Sequence, residues 1–236
     1  LEPLIATFRS GDTVRSRSVS AVVLTDVIEV PVPPVPVLAD WQRDIHFRLG
    51  LEAGDIDVLP LTRTRLRWPQ LRDGFDATGR WMAALGLPDV LGSCDVALMA
   101  SRGTPYHHDG GRYAGFAFCN LFLDADGDTD FHLPAAGRRI AIVRGTVVIF
   151  DPCQPHAIIK RDAPGFDAID FLAADMRPQV FLTWELPIEH EAIGRAMGVT
   201  FDRAPAAWSQ ACEQEVWHDG APARLCPQTG RWLGQV

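Results

Sequence analysis

Between Cys94 and Leu186 the chain is a succession of short apolar runs, each cut off by a cluster of turn-forming residues. The runs are CDVALMA, AGFAFCNLFLD, DFHLP, RRIAIV, TVVIFD, HAIIKR and QVFLTWEL; SRGTP, DADGDT, AAG, RG and DPCQP lie among them. Runs of this length, rich in β-branched and aromatic residues and bounded by Gly, Pro and Asp, read as strands. Many short strands at close spacing bury their faces only in a sandwich or a closed barrel. That constraint shapes every later expectation.

The flanks have a different texture. SVSAVVLTDVIEVPVPPVPVL (18–38) reads as a strand running into a proline-punctuated connector. DWQRDIHFRLGL and DATGRWMAALGL read as short amphipathic helices ending at Gly50 and Gly86, and helix is expected again over EHEAIGRAMG and AAWSQACEQEVW. No internal repeat and no long linker divides the chain. The expectation is therefore one domain over 1–236, mainly β, with a core at 94–186 and flanking regions at 1–93 and 187–236. The tail tryptophans Trp208, Trp217 and Trp232 are expected to shape the mouth of the core or a homodimer contact.

Composition narrows the function. The 236 residues are 47% hydrophobic and 22% charged, with a net charge of −8, which suits a globule and argues against a nucleic-acid partner. No apolar run approaches the roughly 18–20 residues of a membrane helix. The opening LEPLIATFRSGDTVRSRS reads as a processed end, not a secretion signal. Five cysteines (Cys94, Cys119, Cys153, Cys212, Cys226) with no C-x-x-C fit a reducing cytoplasm. In LTRTRLR, an extended backbone would put Arg63, Arg65 and Arg67 on one side, as a solvated face or an anion-binding ridge.

The chemistry concentrates in PYHHDG (105–110). Side chains alternate faces along an extended segment, so His107 and Asp109 project together and His108 points away. An imidazole and a carboxylate so placed grip one metal ion and leave most of its coordination sphere open. His156, which opens an apolar strand after the turn DPCQP, is the candidate third ligand. Two imidazoles and one carboxylate suit non-haem iron(II), and zinc uses similar donors. DADGDTD has its glycine at the fourth position, not the sixth of a calcium loop, and reads as an acidic hairpin turn. His46 and His132 read as packed or capping residues, and Cys153, near the mouth, as a thiol open to oxidation.

In order along the chain, His107-His108-Asp109, FAFCNLFLD, GDTDF, GTVVIF and His156 resemble the core of the iron(II)/2-oxoglutarate-dependent oxygenases, nearest their prolyl-4-hydroxylase-like branch. The resemblance spans residues 94–186. It implies a double-stranded β-helix (a jelly-roll, cupin-like core) with His107, Asp109 and His156 as iron ligands. It further implies 2-oxoglutarate and dioxygen as cosubstrates, and hydroxylation of a C–H bond with release of succinate and carbon dioxide. A basic residue should clamp the far carboxylate of 2-oxoglutarate. Arg177, 21 residues beyond His156, is the best match; Lys160 and Arg161 are rivals, and Tyr106 is a candidate donor to the cosubstrate. The substrate would be a small molecule or a protein side chain. Two other readings stay open at this point: a cupin-like metal enzyme that does not use 2-oxoglutarate, and a β-barrel binding module without catalysis.

Overall fold

The computed structural model describes residues 4–87, 90–172, 177–202, 215–218 and 221–233. In chain order it runs β1 (Ile5–Ser10), β2 (Thr13–Ser18), β3 (Leu24–Val27), α1 (Val35–Arg43), β4 (Ile56–Leu59), α2 (Leu61–Arg67) and α3 (Leu71–Ala84). The core follows as β5 (Val96–Ser101), β6 (Thr104–His107), α4 (Gly110–Tyr113), β7 (Phe116–Phe122), β8 (Thr129–Leu133), β9 (Arg138–Ala141), β10 (Thr146–Phe150), β11 (His156–Lys160) and β12 (Gln179–Pro187). Helix α5 (Glu191–Ala196) and strand β13 (Glu215–His218) come after it.

The eight core strands divide alternately between two antiparallel sheets. The larger has the order β3-β10-β7-β12-β5-β4 and the smaller β6-β11-β8-β9. Successive strands cross from one sheet to the other at β5–β6, β6–β7, β7–β8, β9–β10, β10–β11 and β11–β12, which is the winding of a double-stranded β-helix. The fold class expected from the sequence is therefore present, with strands β3 and β4 of the N-terminal region added to the two edges of the larger sheet.

Packing explains why the central runs carry little polar alternation. One face of the larger sheet meets the smaller sheet across Phe118, Phe122, Phe131, Phe150, Ile158 and Phe181. The other face, with Leu121, Leu182 and Trp184, is covered by Trp41 of α1 and by Leu71 and Met82 of α3. Strands covered on both faces need apolar side chains at consecutive positions. Phe75 of α3 meets Trp184 edge-on at 5.1 Å between ring centroids.

Several local expectations are corrected. LTRTRLR is not extended but helical (α2), so Arg63 and Arg67 sit one turn apart and pair with Asp44 and Asp40, while Arg65 lies 4.8 Å over the Phe75 ring. A row of arginines spent on acids and an aromatic face is no anion ridge. Of the helix expected over AAWSQACEQEVW, 206–214 (Trp208 and Cys212 included) lies outside the described residues, and Glu215–Trp217 is strand, paired with β1. His46 is exposed, neither packed nor capping. The four cysteines among the described residues are free thiols. Among the described residues no helix is long and apolar enough to cross a membrane.

Candidate metal centre

Strand pairing brings the two histidines together. His107 closes β6, His156 opens β11, and the two are direct partners in the antiparallel register, with ring centroids 4.3 Å apart. Past His107 the chain leaves the sheet, and the Asp109 backbone N–H donates to the Pro152 carbonyl at 2.8 Å. That bond folds the carboxylate back. Asp109 then lies 3.9 Å from His107 Nε2 through Oδ1 and 3.4 Å from His156 Nε2 through Oδ2. Candidate donor atoms of all three residues lie within 4.8 Å of one another. The residue after Asp109 must be small: a Cβ on Gly110 would sit 2.2 Å from Val216 Cγ2 of β13.

Both imidazoles are oriented by the same local device. His107 Nδ1 is 2.8 Å from the Pro105 carbonyl and His156 Nδ1 is 3.0 Å from the Gln154 carbonyl. A ring that donates from Nδ1 carries its lone pair on Nε2. Two lone pairs and a carboxylate then converge on one point, a set of acceptors suited to a cation. Burial, reinforced by the nearby His156, pushes His107 down to about 4, which keeps it neutral and ready to ligate. The donor set thus fits iron(II), with three protein ligands on one face.

A buried ion pair supports this loop from behind. The Arg17 side chain of β2 is fully buried and donates to Asp151 twice, at 2.6 and 2.9 Å. It donates further to the Ala114 and Ser18 carbonyls, at 2.6 and 3.0 Å. Asp151 also accepts from the Ser20 and Cys153 backbone N–H groups at 2.8 and 2.9 Å. The turn so pinned contains the two carbonyls, of Pro152 and Gln154, that aim Asp109 and His156. Arg17, 90 residues before the first ligand, has no signal in the sequence: it sits in TVRSRS, a largely polar strand with Arg15 two positions before it. Cys153, expected at an oxidisable position, is buried, lies 3.3 Å from Arg17 Nη2, and has its thiol pushed well up by burial and by Asp151. That environment protects it.

The triad opens on a cavity of about 340 Å³ between the two sheets. Phe118, Phe131, Phe150 and Phe181 line it, together with Asn120 and Thr183. The three residues expected to hold the cosubstrate are not on its wall. Arg177 is exposed ahead of β12. Lys160, on the same face of β11 as His156 but two inward positions further along, pairs with Asp128 at 2.9 Å. The rival Arg161 is engaged by Asp126 and Asp130. Tyr106 points to the opposite face of the smaller sheet, bonded to His132 Nδ1 and packed with Ala157 and Ile159. Among the described residues, the one Arg or Lys lining the cavity is Arg112 of α4, whose guanidinium lies 5.2 Å over the Tyr113 ring. His108, just past the end of β6, turns away from the triad and packs on Trp232 at 5.5 Å between ring centroids.

No family model matches the chain and no curated protein matches it. Solved structures do superpose, distantly. A prolyl-4-hydroxylase from Pseudomonas putida is 15% identical, with 70% of this chain and 92% of that one covered at a TM-score of 0.39. A viral collagen prolyl hydroxylase from Paramecium Bursaria Chlorella virus-1, in its 2OG complex, is 10% identical, with 69% and 96% covered at 0.37. An oxidoreductase of the 2OG-Fe(II) oxygenase family from Burkholderia pseudomallei is 10% identical, with 73% and 68% covered at 0.31. These belong to the group that residues 94–186 resemble in sequence. The fold assignment itself rests on the strand order of this chain.

Proposed function

We propose that this chain is a non-haem iron(II) oxygenase that hydroxylates a substrate C–H bond, using dioxygen and a 2-oxo acid, with 2-oxoglutarate the cosubstrate the resemblance implies. The observation that carries the reading is the convergence of His107, Asp109 and His156, all acceptors, at the end of a cavity walled by aromatic side chains. Bound iron would supply the redox chemistry: with 2-oxoglutarate, dioxygen and R–H enter, and succinate, carbon dioxide and R–OH leave. The chain's own part is to hold three ligands on one face, fix both imidazole tautomers through Pro105 and Gln154, and exclude water with phenyl walls. The chelating end of 2-oxoglutarate fits the open side of such a centre. Its far carboxylate meets no buried cation among the described residues, so no role is assigned to Arg177, Lys160 or Tyr106.

That same absence favours, as a second reading, a metal enzyme on this fold that uses dioxygen or water without 2-oxoglutarate. One measurement separates them. Anaerobic iron(II) followed by 2-oxoglutarate should raise the weak visible charge-transfer band of the chelate in the native protein and not in His107→Ala. A protein that binds iron stoichiometrically but yields no band with any 2-oxo acid is the second kind. One that binds no iron is neither.

A further inference from the structure

The wall of the cavity on the larger sheet holds a neutral polar pair beside Phe118 and Phe181. Asn120 of β7 and Thr183 of β12 are direct partners in the register, and Thr183 Oγ1 donates to Asn120 Oδ1 at 2.9 Å. That bond takes the acceptor end of the amide. The Asn120 Nδ2 group is left with no acceptor among the described residues, and the side chain lines the cavity although only 5% of the residue is exposed. An amide N–H₂ that reaches a cavity and has no protein acceptor can donate to a ligand bound there.

Register gives its depth. Phe150 touches the His156 ring, with centroids 5.0 Å apart, and is the strand partner of Phe118. Asn120 is the next inward-facing position beyond Phe118, about 6–7 Å further along the strand. This is the depth at which the far end of a five-carbon acid would lie if its other end were held at the metal. The register neighbours of Asn120 are neutral, Val148 and Thr183 with Ala97 beyond, and the charged lining residues besides the triad are the acids Asp57 and Glu185 and, on α4, Arg112. A carboxylate there would be buried without a counter-charge, which is strongly unfavourable. An amide or ester carbonyl would not be.

We infer that Asn120, oriented by Thr183, is the deep anchor of the metal-bound ligand, and that the pocket selects a 2-oxo acid whose far end is an uncharged hydrogen-bond acceptor. This rests on the iron-oxygenase reading and narrows its cosubstrate. Arg112, exposed on α4, would then serve the mouth and not the anchor.

Anaerobic titration of the iron(II)-loaded protein tests it through the charge-transfer band, with 2-oxoglutarate, its 5-amide and 2-oxobutyrate as probes. The 5-amide should bind about tenfold or more tighter than either 2-oxoglutarate or 2-oxobutyrate, the value of one buried hydrogen bond. Asn120→Ala should erase the amide's advantage over 2-oxobutyrate. Thr183→Val, which leaves Asn120 in place but frees its amide to rotate, should reduce it, and iron content and thermal melting of both variants verify folding. Asn120→Asp should lose the 2-oxoglutarate band while retaining iron. The inference is overturned, and the oxygenase reading kept, if 2-oxoglutarate binds about a hundredfold tighter than the amide and Arg112→Ala removes that preference. Iron binding with no band from any probe overturns both.

Discussion

The two ends of the β-helix are built from similar residues put to opposite use. At the far end, Asp126, Asp128 and Asp130 meet Lys160, Arg139 and Arg161 in a web of ion pairs. The aromatic side chains Phe122, Phe131 and Phe181 pack above it. At the mouth, His107, Asp109 and His156 converge with no cationic side chain among them, and their free valences face a cavity. Charges that satisfy one another close one end, whereas acceptors held apart from any donor open the other. The backbone carbonyls of Pro105 and Gln154 make the difference, because they occupy the only N–H each imidazole has.

The largest effect is expected at the mouth. His156→Ala should lower iron content below about a tenth of the native value, read by metal analysis of protein purified without chelator. The fold should persist, since the far end is untouched. Next comes the buried support: Arg17→Met leaves Asp151 charged and unpaired and should cost about 3–5 kcal/mol in urea denaturation. The double change Arg17→Met with Asp151→Leu should recover much of that loss while iron affinity stays impaired. Recovery of both would show that the pair acts on stability alone.

A pH effect of intermediate size is expected in chelator-treated protein. Burial and then the neighbouring His156 hold the His107 pKa near 4 in the fold, against about 6.5 in the unfolded chain. The unfolded state takes up this proton first, so stability is whole above about pH 6.5 and falls as pH drops toward 4. Urea midpoints across that window should show less of a slope in His107→Gln. The smallest effect belongs to the far end. Arg177→Ala is exposed and should change stability by less than about 0.5 kcal/mol, with 2-oxo acid binding unaltered. Lys160→Ala removes one surface pair and should cost at most about 1 kcal/mol. A tenfold loss of 2-oxo acid binding in either variant would restore the clamp expected from sequence.

Much of this site was legible before any coordinates. His107 and Asp109 do converge and His108 does turn away, but not by strand alternation: β6 ends at His107, and Asp109 (φ −102°, ψ 18°) is brought back by its N–H bond to the Pro152 carbonyl. Seven of the eight core strands sit where the apolar runs are, within a residue or two, whereas β6 begins inside SRGTP, which reads as a turn. The helix at Leu61–Arg67 was not legible, because its arginines fit either period and only the acids Asp40 and Asp44 on a neighbouring element decide between them. The basic residues near His156 misled for a related reason. Proximity in sequence and a shared strand face place Lys160 on the right side, but two inward positions take it to the acidic turn.

Sequence alone determined the local matters: strand periodicity and the turn that restarts the chain at His156. Those depend on backbone geometry within a few residues. Which charges are consumed and which stay available was decided only by tertiary structure, since an ion pair such as Arg17–Asp151 spans 134 positions in the chain. Long-range pairing has no local signature. It is set by which strands become neighbours, and in this fold that assignment separates a closed end from a reactive one.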